Sequence, residues 1–465
     1  MPLRKLILTH DGASAGTGKG NRYQLTSLNL AFLREQRCYG AQTKTEMRRA
    51  LGYAWLLYLL NCAVYGRTSL PVKVLTLMAG GALLILIYRR LTTRVWMDHQ
   101  SAMLALLSIT MPLSFRSVFG TGYAEIPLPW FYLLLLLMLF TSIERGSVQK
   151  NPLTYVLLIL PLALIVPLVI SKDFIAGIKE YLGYASFLMG CIVAGTLKNK
   201  LSRIDYAFIL PLYVNGVVFA ASGVVFQFVM LNFFEISTFY IMRLGGNRDL
   251  YLFLFYDMSG ISVYLGTAII ILLFLGKRVR NYILSAFVFV AMALTSSRTG
   301  VLSLVIILIG MVLFAKRNEI AKTPLKVFLA VMGTIAVAIL FASRSFFTSL
   351  IDMVLSDNGR FQLITSALVN FAEAPLFGKG LDYASQMKAL GSMAPHFALV
   401  DLLVQTGILI TLMFISALYY IWRISRRSAF AGFKWVYAVC IIGASFAPSF
   451  FALRFFTLIC MFCIA

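Results

Sequence analysis

Residues 257–315 read DMSGISVYLGTAIIILLFLGKRVRNYILSAFVFVAMALTSSRTGVLSLVIILIGMVLFA. This stretch contains three long apolar runs, at 257–276, 281–296 and 299–315, and a basic KRVR group stands between the first two. A helix needs about 20 mostly apolar residues to cross a bilayer. The pattern therefore predicts three membrane-spanning helices in succession, with a cationic loop between the first and the second.

The composition extends this pattern to the whole chain. Of 465 residues, 60 % are hydrophobic and 13 % are charged, whereas soluble domains have about 45–50 % apolar and about 25 % charged residues. This composition excludes an ordinary soluble enzyme, a disordered chain and a nucleic-acid-binding protein. Further candidate spans lie at 50–66, 71–88, 101–115, 127–143, 153–171, 181–197, 204–232, 325–342, 397–422 and 435–450. We expect an all-α, polytopic integral membrane protein with roughly 12–14 transmembrane helices, the last apolar piece, 453–465, being short for a span.

The excess of basic residues predicts the orientation in the membrane. The chain has 41 Lys and Arg against 18 Asp and Glu, a formal net charge of +23. Basic residues accumulate in the cytoplasmic loops of membrane proteins. With the N-terminus inside, the loops on the cytoplasmic side hold Arg89, Arg90, Arg94, Arg145, Lys150, Lys198, Lys200, Arg203, Lys277, Arg278, Arg280, Lys316, Arg317, Lys322, Arg423, Arg426, Arg427 and Lys434. A cytoplasmic N-terminus thus accounts for the charge without a nucleic-acid partner.

The polar segments suggest a simple domain organisation. Residues 1–49 are polar and basic, and we expect a cytoplasmic tail that is disordered or that precedes a true start at Met47. Residues 50–465 form a single transmembrane helical domain. Within it, one long extracytoplasmic loop, 343–396, connects the spans near 342 and 397. Because loops of this length without a function are uncommon, we expect this loop to carry part of the active site.

One histidine is a candidate for proton transfer. Of the three histidines, His10 lies in the tail, His99 falls in a cytoplasmic loop, and only His396 falls on the outer face. His396 follows Pro395 at the start of the span 397–422. A neutral imidazole in this place can act as a general base. On its own, a histidine at a membrane boundary is more often a simple interfacial residue than a catalytic one, so its role depends on its neighbours.

Four arginines on the same predicted face could hold an anion: Arg243, Arg248, Arg298 and Arg360. Each of them alone could extend to lipid headgroups. Several together beside an apolar cavity would be costly unless they met an anion. Guanidinium groups suit a diphosphate, because their planar donors bind its oxygens bidentately.

The sequence favours chemistry without a cofactor or a metal. It has no HExxH motif, no acidic pair on the outer face and no P-loop, and its six cysteines are scattered without metal-ligand spacing. We therefore expect neither a metal centre nor a nucleotide cofactor.

Residues 357–410 read DNGRFQLITSALVNFAEAPLFGKGLDYASQMKALGSMAPHFALVDLLVQTGILI. This stretch resembles the bacterial O-antigen polymerase and O-antigen ligase superfamily, in which an Arg opens an amphipathic helix, Pro-Leu-x-Gly-x-Gly follows, and a His starts a helix that continues to a Gly. The matching residues are Arg360, Pro375, Gly378, Gly380, His396 and Gly407. The SSRTGVL segment at 296–302 is also similar to the family, and MRLGG at 242–246 more weakly so.

The resemblance implies a metal-independent, membrane-embedded glycosyltransferase of the bacterial inner membrane, with its site on the periplasmic face. Its donor would be an undecaprenyl-diphosphate-linked oligosaccharide. A polymerase transfers this glycan to a lipid-linked sugar acceptor, and a ligase transfers it to lipid A-core. Membrane lipids and a chain-length regulator protein are further expected partners.

Within this resemblance, each candidate residue has a chemical role. His396 would be the general base, and Arg298, Arg360 and Arg243 would stabilise the departing diphosphate. Substrate-binding or supporting roles would fall to Arg248, Lys379 and Asp401. Asp401 does not share a helix face with His396, because five residues at about 100° each place it about 140° away around the helix axis.

Two alternatives to a polymerase remain open at this point. The short separation between Arg360 and His396 gives a compact outer loop, which favours a polymerase over a ligase that must admit lipid A-core. A lipid-glycan flippase or transporter is the second alternative. Against it, the ionisable residues collect at the outer boundary, and the halves of the chain show no repeat.

Overall fold

The computed structural model describes most of the chain. The described residues are 41–66, 69–95, 97–114, 129–144, 152–197, 201, 203–239, 241–244, 248–255, 257–275, 279–315, 360–428, 430–447 and 453–465. The predicted span at 325–342, the first part of the outer loop and residues 1–40 of the predicted tail lie outside them.

The N-terminal part of the described chain is helical. Its helices are α1 (Ala41–Ala63), α2 (Leu70–Thr93), α3 (His99–Thr110), α4 (Trp130–Glu144), α5 (Pro152–Ala163), α6 (Ile165–Ile170), α7 (Phe174–Leu197) and α8 (Arg203–Phe234). Helix α1 begins at Ala41, so helical structure extends into the segment that we predicted to be a tail. The predicted span 153–171 is divided into α5 and α6, and prolines lie in both pieces, at Pro161 and Pro167. Proline lacks the N–H that a continuous helix requires.

The C-terminal part continues with α9 (Met258–Phe274), α10 (Val279–Leu294), α11 (Arg298–Phe314), α12 (Arg360–Glu373), α13 (Tyr383–Ala389), α14 (Ala398–Ser425), α15 (Phe433–Ala444) and α16 (Arg454–Ile464). Helices α9, α10 and α11 correspond to the three predicted apolar runs at 257–276, 281–296 and 299–315. Within the described ranges, four helices combine the length and the hydropathy of a complete membrane span: α2, α7, α14 and most of α8. Several shorter apolar helices accompany them. The all-α, polytopic membrane fold is thereby confirmed.

A small hairpin departs from the all-helical expectation. Strands β1 (Ile241–Leu244) and β2 (Arg248–Tyr251) pair antiparallel, with the backbone of Arg243 opposite Asp249. The sequence between the strands is Gly-Gly-Asn, a composition that favours tight hairpin turns. The predicted site residues Arg243 and Arg248 therefore lie on a hairpin rather than in an irregular loop.

Helix α16 is both short and buried. Its residues from Arg454 to Ile464 are all buried. Phe456 stacks on Phe187 of α7 at a ring separation of 5.5 Å, and the backbone of Gly190 packs directly against Thr457. A helix enclosed by other helices can be shorter than the lipid bilayer, because it does not have to present a full apolar length to lipid.

Candidate active site

Helix α14 is broken at Gly407, which divides it into a shorter N-terminal half and a longer C-terminal half. Gly407 has φ 74° and ψ 176°, which lie far outside the helical region, although residues on both sides of it are helical. Such a break removes backbone hydrogen bonds of the helix and leaves carbonyl groups that need other partners. The sequence predicted an uninterrupted span here, so the break is a finding of the structure.

A loop at residues 375–380, PLFGKG, supplies those partners. The backbone N–H of Lys379 donates to the carbonyl of Val404 at 2.7 Å, and the N–H of Gly380 donates to the carbonyl of Gln405 at 3.2 Å. In the opposite direction, the N–H of Ile408 donates to the carbonyl of Pro375 at 2.9 Å. The PLFGKG loop and the break in α14 thus form one hydrogen-bonded unit.

Two glycines allow this close approach. A Cβ atom on Gly407 would lie 2.2 Å from the carbonyl oxygen of Leu376, and one on Gly378 would lie 2.4 Å from that of Gln405. Both residues also have positive φ angles, which glycine adopts without a steric penalty. Glycine is therefore required at these two positions for both conformation and space.

The chain after the PLFGKG loop is anchored to the junction of α6 and α7. The N–H of Leu381 donates to Ser171 Oγ at 3.0 Å, and the N–H of Asp173 donates to Asp382 Oδ2 at 2.8 Å. Gln386 Nε2 also donates to Asp382, at 2.9 Å. The outer-loop segment is consequently held between α14 on one side and the α6–α7 junction on the other.

Helix α12 covers the N-terminal half of α14 and begins at Arg360. Ala367, Tyr383 and Val404 form a small apolar core between α12, α13 and α14. Burial raises the pKa of Tyr383, which keeps its hydroxyl protonated. On the opposite face of α12, Phe361 is 74 % exposed and Val369 is 59 % exposed. Exposed apolar side chains of this kind are typical of a helix at a membrane boundary.

On the N-terminal side of the break, three buried polar side chains form a hydrogen-bonded chain from α14 to α7. Tyr184 donates its hydroxyl hydrogen to Gln405 Oε1 at 3.0 Å, and Gln405 Nε2 donates to Asp401 Oδ2 at 2.9 Å. Asp401 is 1 % exposed. Asp401, which we predicted as a supporting residue, is therefore packed inside the bundle and bonded to Gln405.

His396 and Arg298 lie at the same end of the bundle. His396, partly exposed, immediately precedes α14. Helices α14 and α15 run antiparallel, since Tyr437 donates to the carbonyl of Leu418 at 2.8 Å and stacks on Trp422. The far end of α15 thus points to the His396 end, and there the carbonyl of Phe446 accepts from Thr299 Oγ1 at 3.4 Å. Arg298 is the neighbour of Thr299 and the first residue of α11.

Arg454, which is not among the predicted site residues, lies in the same region. Ser259 Oγ, in the first turn of α9, donates to Thr299 Oγ1 at 3.2 Å. A Cβ atom on the adjacent Gly260 would lie 2.9 Å from Leu453, the residue before Arg454. Arg298 and Arg454 are therefore each the neighbour of a residue that contacts the first turn of α9. In the sequence, the signal that could have identified Arg454 was its position as an arginine at the start of the short apolar piece 453–465.

The other predicted site residues have diverse surroundings. Lys379 pairs with Glu373, and this hydrogen bond holds the pKa of the Glu373 carboxyl below its usual range. For Arg243, Arg248 and Arg360 the structure defines the backbone position alone. Within the described ranges, no group of three or more His, Cys, Asp or Glu side chains could hold a metal ion, and the described cysteines form no disulfide with one another.

The segment that contains Arg298, the PLFGKG loop and His396 also has a counterpart among known protein families. Residues 283–415 match the family model described as O-antigen ligase. This match confirms the predicted resemblance to the O-antigen ligase and polymerase superfamily, and it supports a glycosyltransferase-like membrane enzyme with lipid-linked glycan substrates. No curated protein matches the chain. The matched residues begin in α10 and end in α14, so they include the helix break at Gly407 as well as Arg298 and His396.

Proposed function

We propose that the protein is an O-antigen polymerase. It transfers an oligosaccharide from undecaprenyl diphosphate to a lipid-linked sugar acceptor on the periplasmic face of the inner membrane. The observation that carries this proposal is the placement of His396 and Arg298 at one end of the bundle, both within the segment that matches the O-antigen ligase family. A base and a phosphate-binding cation on one face are the minimum that this transfer requires.

The reaction needs stabilisation of its leaving group. The acceptor hydroxyl oxygen attacks the anomeric carbon of the donor, and the bond from that carbon to the phosphate oxygen breaks. The bonding pair leaves with the lipid diphosphate, whose negative charge increases in the transition state. Arg298, with Arg360 and Arg243, stabilises this charge, and a poorly hydrated site strengthens the effect. Guanidinium groups here supply the positive charge that a metal supplies in other sugar transferases.

The reaction also needs a proton acceptor. His396, as neutral imidazole, accepts the proton of the attacking hydroxyl while the new glycosidic bond forms. The donor is already activated by its diphosphate, so no nucleotide is consumed. Arg248, Lys379 and Asp401 have supporting roles, Asp401 through the buried chain to Gln405 and Tyr184.

The hydrogen-bonded unit at Gly407 explains how the base is positioned. His396 lies two residues before the N-terminal half of α14, and this half is fixed by the PLFGKG loop and by α12 rather than by a continuous helix. Positioning of this kind matters, because a displacement of about 1 Å can cost about 100-fold in rate.

An O-antigen ligase is the second candidate, and the description of the matching family favours it. A ligase would use the same donor and the same leaving-group chemistry, with lipid A-core as the acceptor. The two candidates therefore differ in the acceptor and not in the site residues. We favour the polymerase because the outer loop between Arg360 and His396 is compact and held on both sides.

A deletion strain distinguishes these candidates. Lipopolysaccharide from the strain is separated by size, and the glycans still attached to undecaprenyl diphosphate are extracted in parallel. Lipid A-core capped with single repeats would support the polymerase, whereas long polymer that stays on undecaprenyl diphosphate would identify the ligase. Unchanged profiles in both fractions would refute both. Transfer by the purified protein, without a second compartment, would exclude a flippase.

A further inference from the structure

We propose that the cavity at the end of the bundle opposite His396 binds the headgroup of an anionic phospholipid. The group recognised is a phosphodiester, negatively charged at neutral pH, that is attached to acyl chains. The inference goes beyond the proposed function and depends on it only for the orientation, which places this end of the bundle in the cytoplasmic leaflet. The site is separate from the residues that carry the transfer reaction.

Three helices surround the cavity. Helix α8 begins at Arg203, whereas α14 ends at Ser425 and α16 ends at Ile464. Tyr206, in the first turn of α8, lines the cavity and donates its hydroxyl hydrogen to the carbonyl of Phe462 at 3.2 Å. The cavity has a volume of about 650 Å³, and pockets of about 300–1,000 Å³ bind small ligands. It is therefore large enough for a phosphate group with its glycerol.

The wall of the cavity contains two cations. Arg423 lies in the last turn of α14, and Arg427 lies in the turn that follows, where its N–H donates to the carbonyl of Ile424 at 2.7 Å. Both arginines line the cavity and are exposed. Within the described ranges neither of them forms an ion pair, and the described lining has no Asp or Glu side chain. The side chains of the wall thus carry a net positive charge, which favours an anion.

The other lining groups suit a lipid headgroup. Tyr420 and Ser428 supply hydroxyls that can donate hydrogen bonds to phosphate or glycerol oxygens, and Ile424 and Ile464 supply apolar surface beside them. A guanidinium binds a phosphate through two parallel hydrogen bonds. Basic pockets between helices on the cytoplasmic side of membrane proteins bind anionic headgroups in this way.

The surface of α14 indicates that the anion is a lipid and not a soluble phosphate. Leu412, Ile415 and Tyr419 precede Arg423 at spacings of three and four residues, so all four lie on one face of the helix. The first three are 51 %, 41 % and 66 % exposed, which leaves an apolar stripe that leads to Arg423. The helix rises about 16 Å from Leu412 to Arg423, close to half of a hydrocarbon core of about 30 Å. An acyl chain along this stripe would place its headgroup at the cavity.

The test uses the full chain, purified in a mild detergent. Binding of phosphatidylglycerol, of zwitterionic phosphatidylcholine and of soluble glycerol phosphate is measured separately. The wild type should bind phosphatidylglycerol most tightly. Arg423→Gln and Arg427→Gln should each weaken this binding about fivefold, the usual contribution of one basic residue near anionic lipid, and the double variant should weaken it about 25-fold.

Arg426→Gln is the matched control for this test. Arg426 lies between the two arginines in sequence and is also exposed, but it does not line the cavity. The control removes the same charge from the same end of the bundle, and it should leave the affinity for phosphatidylglycerol unchanged. Because all three arginines are exposed, the lipid-free variants should melt at the temperature of the wild type, which separates loss of the site from misfolding.

The possible outcomes separate the lipid site from the proposed function. An equal loss of binding in Arg426→Gln and Arg423→Gln would mean that the effect is one of general surface charge, and it would overturn the site. Equal affinity of the wild type for the two lipids would also overturn it. Glycerol phosphate bound as tightly as phosphatidylglycerol would contradict the role of the apolar stripe and identify a soluble anion as the ligand. Selective binding of phosphatidylglycerol by a protein that transfers no glycan would refute the polymerase and leave the lipid site in place.

Discussion

The two halves of α14 have the same apolar character but different constructions. The N-terminal half ends at the break at Gly407, is hydrogen-bonded to the PLFGKG loop, and contains the buried Asp401. The C-terminal half is a regular helix that packs on α15 through Trp422 and Tyr437. At its end, Arg423 and Arg427 line a cavity of about 650 Å³ on the opposite side of the bundle.

This difference shows where the fold restricts the sequence. A regular apolar helix tolerates many residues, because its backbone hydrogen bonds are internal. The N-terminal half instead depends on specific backbone contacts with residues 375–380, and each contact restricts which side chains fit. Arginines occur at both ends of the bundle, so charge alone does not define a site. We expect catalysis to depend on the N-terminal half and to be insensitive to the C-terminal half.

The largest expected effect is on the proton acceptor at the start of the N-terminal half. His396→Ala should lower the glycan-transfer rate about 100- to 10,000-fold, the usual contribution of a general base. Transfer is measured with purified protein and a lipid-linked donor. Met393 is an exposed residue in the same segment, so Met393→Ala is the control for a local disturbance of the structure. Full activity of His396→Ala would remove the base assignment.

The next effect concerns the break itself. Gly407→Ala forces a residue with a Cβ into a positive-φ conformation and against the carbonyl of Leu376. It should destabilise the protein by about 1–3 kcal/mol from conformation alone, with a further cost from the contact, and should abolish transfer. Gly310→Ala is the matched control, because a Cβ there meets only Trp435 at 3.6 Å. This control should be neutral or slightly stabilising in a helix. Equal melting temperatures for the two variants would refute the role of the break.

The sequence predicted the helices better than the site, for a physical reason. In lipid, a helix must satisfy its own backbone and present an apolar surface, so hydropathy alone locates it. The predicted run 257–276 thus corresponds to α9 at Met258–Phe274. The break at Gly407 depends on carbonyl groups of residues distant in sequence, and no local pattern reports such a contact. The position of Arg454 was not predicted for the same reason, since it depends on contacts with Tyr132 and with the start of α9, both distant in sequence.

A third prediction compares arginines at the two ends of the bundle. Arg298→Lys keeps the charge but loses bidentate binding, so transfer should fall about tenfold or more. Arg423→Lys, at the cavity on the opposite side, should leave the transfer rate unchanged. Rates for both variants are measured at several donor concentrations, because loss of leaving-group stabilisation lowers kcat as well as kcat/KM. An equal loss in the two variants would mean that the effect is one of general charge and not of a site.

The smallest effect is expected at the Lys379–Glu373 pair beside the PLFGKG loop. The hydrogen bond from Lys379 lowers the pKa of Glu373, so the carboxylate form is favoured in the folded protein. The stability gained is therefore present above the ordinary pKa of glutamate, about 4.3, and is lost as the pH falls through the lowered value. Because Glu373 is exposed, the gain is small. Melting temperatures of the wild type and of Glu373→Gln should differ slightly at pH 7 and converge in acid, and Lys388→Gln in α13 is the control. A gap that widened in acid would contradict the lowered pKa of Glu373, and equal melting temperatures at pH 7 would mean that the loop is held by its backbone contacts with α14 and not by this pair.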